Sequence, residues 1–253
     1  MGKAFKIVLA ILLTLVAAAL ILFLTLGGLP AKKMAEKNTE YISYVAKDYP
    51  YADIAPLENG MTLEDRGLRM QIPAGMHPRD DSDPDSMKAH LYVSDTDKAL
   101  AFIVLEPFDF EEFDLDGEKY DFSEKTLNWF SETIGIPHSG SWDWYSFYNL
   151  LYHMDMDDCS IHSFRQANTF YALALIKDQV ISHYHEVWDW HTDCGNGFIS
   201  IMQTPESSEK NPKYKINASL YFPDSPNVSH DVMIAAKDIE TCCAIVNSIT
   251  RAD

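Results

Sequence analysis

The chain of 253 residues lacks the short patterns that mark the common enzyme families. It contains no G-x-S-x-G, H-E-x-x-H, P-loop or G-x-G-x-x-G pattern, so it carries no signal of a serine hydrolase, a zinc protease or a nucleotide-binding enzyme. Basic residues are also scarce, because 20 lysines and arginines face 38 aspartates and glutamates. Nucleic-acid phosphates repel such a chain, and we therefore exclude nucleic acid as a partner. The sequence predicts no catalytic and no cofactor-binding residue.

Cysteines are few, and their spacing is wrong for a disulfide framework or a zinc knuckle. The four are Cys159, Cys194, Cys242 and Cys243, with two adjacent and none in a C-x-x-C pattern. Cys242 and Cys243 are predicted to be small residues of a helix. A bridge between Cys159 and Cys194 remains the alternative.

Long apolar runs are absent except for one, from Ile7 to Leu26. Twenty helical residues at about 1.5 Å each span about 30 Å, which matches the hydrocarbon thickness of a bilayer. A cleaved signal peptide is the alternative, but its apolar core is usually about 7 to 15 residues long. We therefore predict an uncleaved single-pass anchor that contacts the cell membrane through residues 7–26. Lysines on the two sides nearly balance, so the extracytoplasmic location of the body is an expectation from topology alone.

The chain is predicted to contain three regions. Residues 1–30 form the transmembrane anchor, residues 31–56 a juxtamembrane helix and linker, and residues 57–253 a soluble acidic domain. The formal net charge is −18, and it becomes −20 when Lys3 and Lys6 of the anchor are left out. One interpretation of this net charge is that it keeps the domain soluble. The alternative is that it attracts cations or a basic partner.

Helical and strand-like patterns alternate along the soluble domain. Strands are predicted at residues 61–65, 67–72, 90–93, 99–105, 183–191, 198–203 and 214–222, and in the second of them Leu68, Met70 and Ile72 share a buried face. Helices are predicted at 123–134, at 143–154 and from 157 or 158 to about 180, with a C-terminal helix beginning at Ser229 or at Asp238. The sequence thus predicts an α+β fold, in which a single N-terminal transmembrane helix precedes one mainly antiparallel sheet packed with helices.

Three histidines, His183, His185 and His191, are predicted to share one face of a strand. Neutral imidazoles are good zinc ligands, so this face is a candidate metal site. Alternate strand residues are nearly 7 Å apart, and ligands from elsewhere would have to complete it. The alternative interpretation, which we favour, is an aromatic core face with Trp188 and Trp190 opposite a partly solvated histidine face. No cofactor is then expected, with zinc as the alternative.

Two acidic loops, at residues 79–86 and 106–121, imitate calcium-binding loops. Neither fits the EF-hand template. Counted from Asp81, the first loop has Tyr92 at the twelfth position, and counted from Glu112, the second has Ser123 there, whereas the template requires a glutamate. Phe108, Phe110 and Phe113 lie among the acids of that loop and suit either a docking surface or a pin to the core. A calcium-responsive module that uses residues 109–118 is the weakest of the functional hypotheses.

The segment Gly67-Leu68-Arg69-Met70-Gln71-Ile72-Pro73 and the C-terminal residues 239–249, ending in Asn247-Ser248-Ile249, carry a family resemblance. With the order of the predicted elements, they resemble the PsbP/Mog1-like α+β domains, which recur in membrane-anchored bacterial envelope proteins. The chain departs from that pattern at Met76, where an aromatic residue is usual, and the two helices between 143 and 180 look like an insertion. The resemblance implies binding or assembly rather than catalysis, and it transfers no functional residue.

Two functions from different classes follow. The leading hypothesis is a membrane-tethered, extracytoplasmic, non-catalytic binding or assembly module of the cell envelope, which binds a protein or another envelope component. The second is a membrane-tethered metal-dependent hydrolase that uses His183, His185 and His191.

Overall fold

A computed structural model of the protein describes residues 13–18, 21, 28–79, 89–97, 99–109, 123–136, 138, 140–155, 161, 164–202 and 212–252. Most of the apolar run at 7–26 lies outside the described residues, so the transmembrane anchor stays a prediction. Residues 13–18 and residue 21 are helical, and the side chains of Leu13, Leu15, Val16 and Ile21 are 52 to 63% exposed. Across the described ranges, no helix combines the length and apolar character that a bilayer crossing requires.

The chain divides into two compact units. The first contains the described residues of Met1–Tyr44, Asp114–Ser141 and His153–Val180, and the second those of Val45–Phe113, Trp142–Tyr152 and Ile181–Asp253. The first unit is helical. Beyond the helical residues 13–18 and 21, the described ranges of the two units contain the helices α1 (Gly28–Asn38), α2 (Glu124–Thr133), α3 (Trp144–His153), α4 (Phe164–Ile181) and α5 (Ile239–Val246).

The second unit contains the strands. They are β1 (Lys47–Asp48), β2 (Gly60–Asp65), β3 (Leu68–Pro73), β4 (Met76–Pro78), β5 (Ala89–Ser94), β6 (Ala101–Leu105), β7 (Phe108–Asp109), β8 (Tyr184–His191), β9 (Asn196–Met202), β10 (Tyr214–Phe222), β11 (Ser225–Ala236) and β12 (Thr250–Arg251). In the described part of the chain, the main sheet has the order β1-β8-β9-β10-β11-β6-β5-β4, and β7 pairs with β11. β1 runs parallel to β8, whereas the other pairs are antiparallel.

The α+β class and the mainly antiparallel main sheet confirm the sequence analysis, but the prediction of one sheet was incomplete. β2 and β3 pair with the short C-terminal β12 in a separate sheet of order β12-β3-β2. Arg66 and Gly67 form the turn between β2 and β3, with φ angles of 50° and 79°. Glycine suits this left-handed backbone because it has no Cβ.

One face of the main sheet forms the core of the second unit, and we call it the core face. Its side chains pack with the buried face of β3 and with α5. Leu68, Met70 and Ile72 are each about 1% exposed, as their alternation predicted. The cluster also contains, among others, Phe102, Trp188, Trp190, Ile199, Ile216, Ile234, Cys242, Ile245 and Val246.

The other face of the main sheet, the outer face, is covered in part by α3. The ring of Tyr145 lies 5.6 Å from that of Phe198 and 5.7 Å from that of Tyr221, and the ring of Tyr152 lies 4.6 Å from that of Phe198. These contacts cover β9 and the end of β10. Val187 of β8 is fully buried, although strict alternation places it on the same face of the strand as His191.

The helical unit is held together by aromatic stacking and by hydrogen bonds to backbone groups. The rings of Phe130 and Phe170 stack with centroids 6.2 Å apart. Lys177 is fully buried, and its ammonium group donates to the carbonyl oxygens of Tyr44 and Met154. Such charge-assisted bonds offset the cost of withdrawing the ammonium group from water.

The predicted helix bounds are confirmed at α2 and α3, and α4 confirms the third predicted helix, which was expected to run to about residue 180. The C-terminal helix begins at Ile239 with Asp238 as its N-cap. Its alternative start at Ser229 was wrong, because β11 continues through Ala236.

Candidate functional site

A groove crosses the outer face of the main sheet beyond the part that α3 covers. Small side chains create it, since Ala101 of β6 and Ala235 of β11 are direct cross-strand partners. A neighbouring row of larger side chains forms one wall, with Ile103 paired both to Met233 and to Leu91. Because alternate residues of a strand point to the same face, these side chains all belong to the outer face.

The groove encloses about 150 Å³ and is apolar apart from a lysine. Its apolar lining residues are Leu91, Ala101, Ile103, Met202, Ile216, Met233, Ile234 and Ala235, and we call this surface the sheet groove. Lys215, the cross-strand partner of Ala235, is its charged member and is exposed. An apolar concavity with a single charged group has the composition of a binding site.

A polar cluster lies next to the sheet groove on the same face. Ser219 of β10 and Asp231 of β11 are cross-strand partners, and the Ser219 hydroxyl donates to one carboxylate oxygen of Asp231. The Ser229 hydroxyl donates to the other oxygen over 3.0 Å, and the amide nitrogen of Asn217 donates to Ser219 over 3.2 Å. We call Asn217, Ser219, Ser229 and Asp231 the Asp231 cluster. It ties β10 to β11 beside the groove.

Burial changes the proton affinity of this cluster and of the tyrosines around it. Withdrawal from water raises the pKa of Asp231, and the hydrogen bonds from the two serines oppose that rise. Burial also raises the pKa of Tyr145 to about 12, with the charge of Asp189 adding to the effect. Burial likewise raises the pKa of the Tyr152 phenol and that of the Tyr221 phenol above the ordinary tyrosine value. These tyrosines stay neutral at physiological pH.

Asn217 links the Asp231 cluster to the sheet groove, because it is the cross-strand partner of Met233 in the groove wall. Its side-chain oxygen is shielded from solvent and accepts no hydrogen bond within the described residues. A buried acceptor without a donor costs about 1–3 kcal/mol. The outer face thus offers an apolar groove with an unused polar atom beside it.

Comparisons with known proteins find only a distant similarity, and it lies in structure rather than in sequence. No family model matches the chain, and no curated protein matches its sequence. The structure is similar to the solution structure of cyanobacterial PsbP (CyanoP) from Synechocystis sp. PCC 6803, with a TM-score of 0.39 and 5% identity over 78% of this chain and 94% of that chain. No function is taken from this similarity.

The three histidines of the predicted metal site are all exposed. His183 lies in the turn before β8, and the register of β8 shifts between Tyr184 and Glu186, which breaks the strict alternation that the prediction assumed. Nδ1 of His191 lies 2.9 Å from the side-chain oxygen of Asn196. Within the described ranges, no three His, Cys, Asp or Glu side chains are grouped to hold a metal ion. Zinc binding at these histidines stays a prediction.

A second polar cluster joins the two sheets, and sequence reasoning missed it. The Asp65 carboxylate, at the end of β2, lies 2.9 Å from Nδ1 of His90 and accepts a hydrogen bond of 2.9 Å from the Tyr92 hydroxyl. Burial and the hydrogen bond to Asp65 raise the pKa of Tyr92, so the phenol remains a donor. The sequence offers His90 and Tyr92 on the same face of β5 as a signal of this cluster. Their shared partner, Asp65, lies 25 residues before His90, so no local pattern connects them.

The remaining candidates are placed as follows. Residues 80–88 and 110–122, which contain most of the two acidic loops, lie outside the described residues, as does Cys159. Calcium binding at 109–118 therefore stays a prediction. Cys194 is a free thiol, as are Cys242 and Cys243, which belong to α5 and are buried as predicted.

Proposed function

We propose that the protein is a non-catalytic binding module and that its sheet groove receives an apolar side chain of a protein partner. The observation that carries this proposal is the groove itself, an apolar depression of about 150 Å³ on a sheet face where α3 leaves aliphatic side chains accessible. Leu91, Ile103 and Met233 are only partly buried. Partly exposed aliphatic groups that are grouped in a concavity favour an interaction site.

The size of the groove suits a single side chain. A cavity of about 150 Å³ is large enough for a benzene-sized group, so one leucine or phenylalanine side chain fits it. Burying such a side chain contributes about 1.5–3 kcal/mol. Anchors of this kind dominate many protein interfaces, in which the surrounding contacts mainly exclude water.

Site-specific photocross-linking in cells tests this function. We would replace Leu91 by p-benzoylphenylalanine in the full-length chain and irradiate intact cells. One discrete cross-linked adduct is expected, since the probe stands in the groove wall. Met61, on β2 and 42% exposed, provides the matched control position.

The Met61 probe should not give the adduct. An Ala235→Leu substitution that fills the groove should weaken the adduct formed from position 91. The proposal would be abandoned if position 91 gave no adduct, or if the Met61 probe and the Ala235→Leu chain gave the same adduct.

We also propose that residues 7–26 tether this module to the cell membrane, with the body on the extracytoplasmic side of the envelope. The twenty-residue apolar run supports a tether because its helical length equals the hydrocarbon thickness. The helical backbone and exposed apolar side chains at residues 13–18 and 21 support it further.

Membrane extraction and protease accessibility test the tether. The full-length chain should stay with membranes in alkaline carbonate, and deletion of residues 7–26 should release it. Protease added to spheroplasts should digest the body while a cytoplasmic marker survives. Release of the intact chain by carbonate would refute the tether, and protection of the body in spheroplasts would refute its location.

A further inference from the structure

Lys215 lines the sheet groove, and two further lysines adjoin the same ends of its strands. Lys213 directly precedes β10, and Lys237 directly follows β11. The register pairs Tyr214 with Ala236, so Lys213 and Lys237 leave the sheet side by side. All three are exposed. We call them the lysine rim.

The lysine rim contrasts with the charge of the rest of the protein. Outside the anchor, 18 basic residues face 38 acidic ones, so like charges are otherwise widespread over the surface. A local basic group in such a field attracts an anionic group and orients it during encounter. Because the rim borders an apolar groove, it places that attraction next to the proposed anchor site.

A carboxylate of the chain itself already uses this rim. Oδ1 of Asp97, which lies between β5 and β6, is 3.0 Å from the ammonium nitrogen of Lys237. The hydrogen bond from Lys237 lowers the pKa of Asp97, so the rim favours the ionised carboxylate. Lys213 lies over the ring of Tyr214, 5.1 Å from its centroid. Lys215, whose position is inside the groove, is the rim lysine closest to a bound anchor.

We propose that the partner is a protein segment in which a bulky apolar residue is flanked by acidic residues, the apolar side chain entering the sheet groove while the carboxylates pair with the lysine rim. This inference rests on the proposed function, since it specifies the chemistry of the groove's occupant. A groove of one side chain's volume favours a peptide over a lipid, because an acyl chain is much larger than a benzene-sized group.

Binding of three synthetic peptides to the full-length chain in lipid nanodiscs tests the inference. The first has a central phenylalanine between two glutamates, the second replaces the glutamates by glutamines, and the third replaces the phenylalanine by alanine. Fluorescence anisotropy of the labelled peptides gives each affinity. The first peptide should bind about three- to tenfold more tightly than the second at low salt, and added salt should reduce this difference.

Variants locate the effect on the chain. Replacing Lys213, Lys215 and Lys237 together by glutamine should remove the preference for the glutamate peptide over the glutamine peptide. A charge-matched control replaces Lys32, Lys33 and Lys37, which lie on α1 in the other unit, and should retain the preference. Ala235→Leu should weaken both phenylalanine peptides, and the alanine peptide should bind more weakly than the first.

The outcomes separate this inference from the proposed function. Equal binding of the glutamate and glutamine peptides, both lost in Ala235→Leu, overturns the acidic partner while the groove still binds an apolar anchor. A preference that the charge-matched control also loses overturns it as well, because net charge then explains the result. Absence of binding by all three peptides overturns the acidic partner, and the photocross-linking at Leu91 then decides on the groove independently.

Discussion

The carboxyl group of Asp231 links the stability of the strand-containing unit to pH. Its pKa in the folded protein is raised above the ordinary value of 3.8, chiefly because the group is withdrawn from water. The folded state then binds a proton more tightly than the unfolded state does. Its contribution to stability is complete below about pH 3.8 and is lost as the pH rises through the raised pKa.

Asp231→Asn should remove this pH-dependent term while keeping the size of the side chain. We expect the free energy of unfolding of the variant, relative to that of the natural chain, to increase between about pH 4 and pH 7. Urea unfolding at several pH values, followed by tryptophan fluorescence, measures this. Asp224→Asn is the charge-matched control, because Arg251 lowers the pKa of Asp224 and reverses the sign. Parallel curves for Asp231→Asn and the natural chain would contradict the prediction.

Tyr92 and Asp65 provide a second test at the scale of single residues. The Tyr92 hydroxyl donates to a carboxylate that is only 9% exposed and that connects β2 to β5. Tyr92→Phe should lower the free energy of unfolding by about 1.5–3 kcal/mol, the usual net value of a hydrogen bond to a charged group. A double-mutant cycle with Asp65→Ala measures the coupling, because alanine offers no acceptor to the Tyr92 hydroxyl. If the effects of the two substitutions simply added, the hydrogen bond would not contribute.

Among the elements, α5 depends on a cap that one residue supplies. The Asp238 side chain accepts a hydrogen bond of 2.7 Å from the backbone nitrogen of Thr241. Asp238→Ala should lower the free energy of unfolding by about 0.5–2 kcal/mol. Asp238→Asn should lower the free energy of unfolding much less, because asparagine also caps helices well. Chemical denaturation of both variants checks this. Equal losses in the two would show that the cap is not responsible.

Local patterns were sufficient to predict most elements of the second unit. The alternation at Leu68, Met70 and Ile72 predicted both a strand and its buried face, since each fact depends on neighbouring residues alone. The separate sheet was not predictable in the same way. Its formation depends on pairing of Arg69 with Thr250, which is 181 residues away, and no local pattern carries that information.

The candidate site depends even more on distant pairing. Ala101 and Ala235 carry no chemical signal in the sequence, and they make a groove only because β6 lies beside β11. The histidines of β8 gave the opposite result. Their spacing suggested a metal site, but the register of β8 shifts between Tyr184 and Glu186 and Val187 is fully buried. The strand therefore does not present the regular solvated face that strict alternation predicted. Lys213 and Lys215 are two residues apart in the sequence, whereas Lys237 lies near them only because β10 pairs with β11.

At the scale of the whole molecule, charge and apolar character are distributed unevenly between the N-terminal apolar run and the acidic body. An acidic body with net charge −20 has no affinity of its own for anionic membrane surfaces, so a tether would have to hold it there. The sheet groove is a local apolar exception on that body, and the lysine rim is a local basic one. We therefore regard their coincidence as the central functional feature of the protein.

The methionine methyl groups allow the most direct test of the groove. Met202 and Met233 line it, whereas Met70 is buried on β3 in the core, about 1% exposed. In the full-length chain labelled at the methionine methyls, a titration with the phenylalanine peptide flanked by glutamates should shift the signals of Met202 and Met233 and leave that of Met70 in place. Unchanged signals from Met202 and Met233, or an equal shift at Met70, would contradict a binding site in the sheet groove.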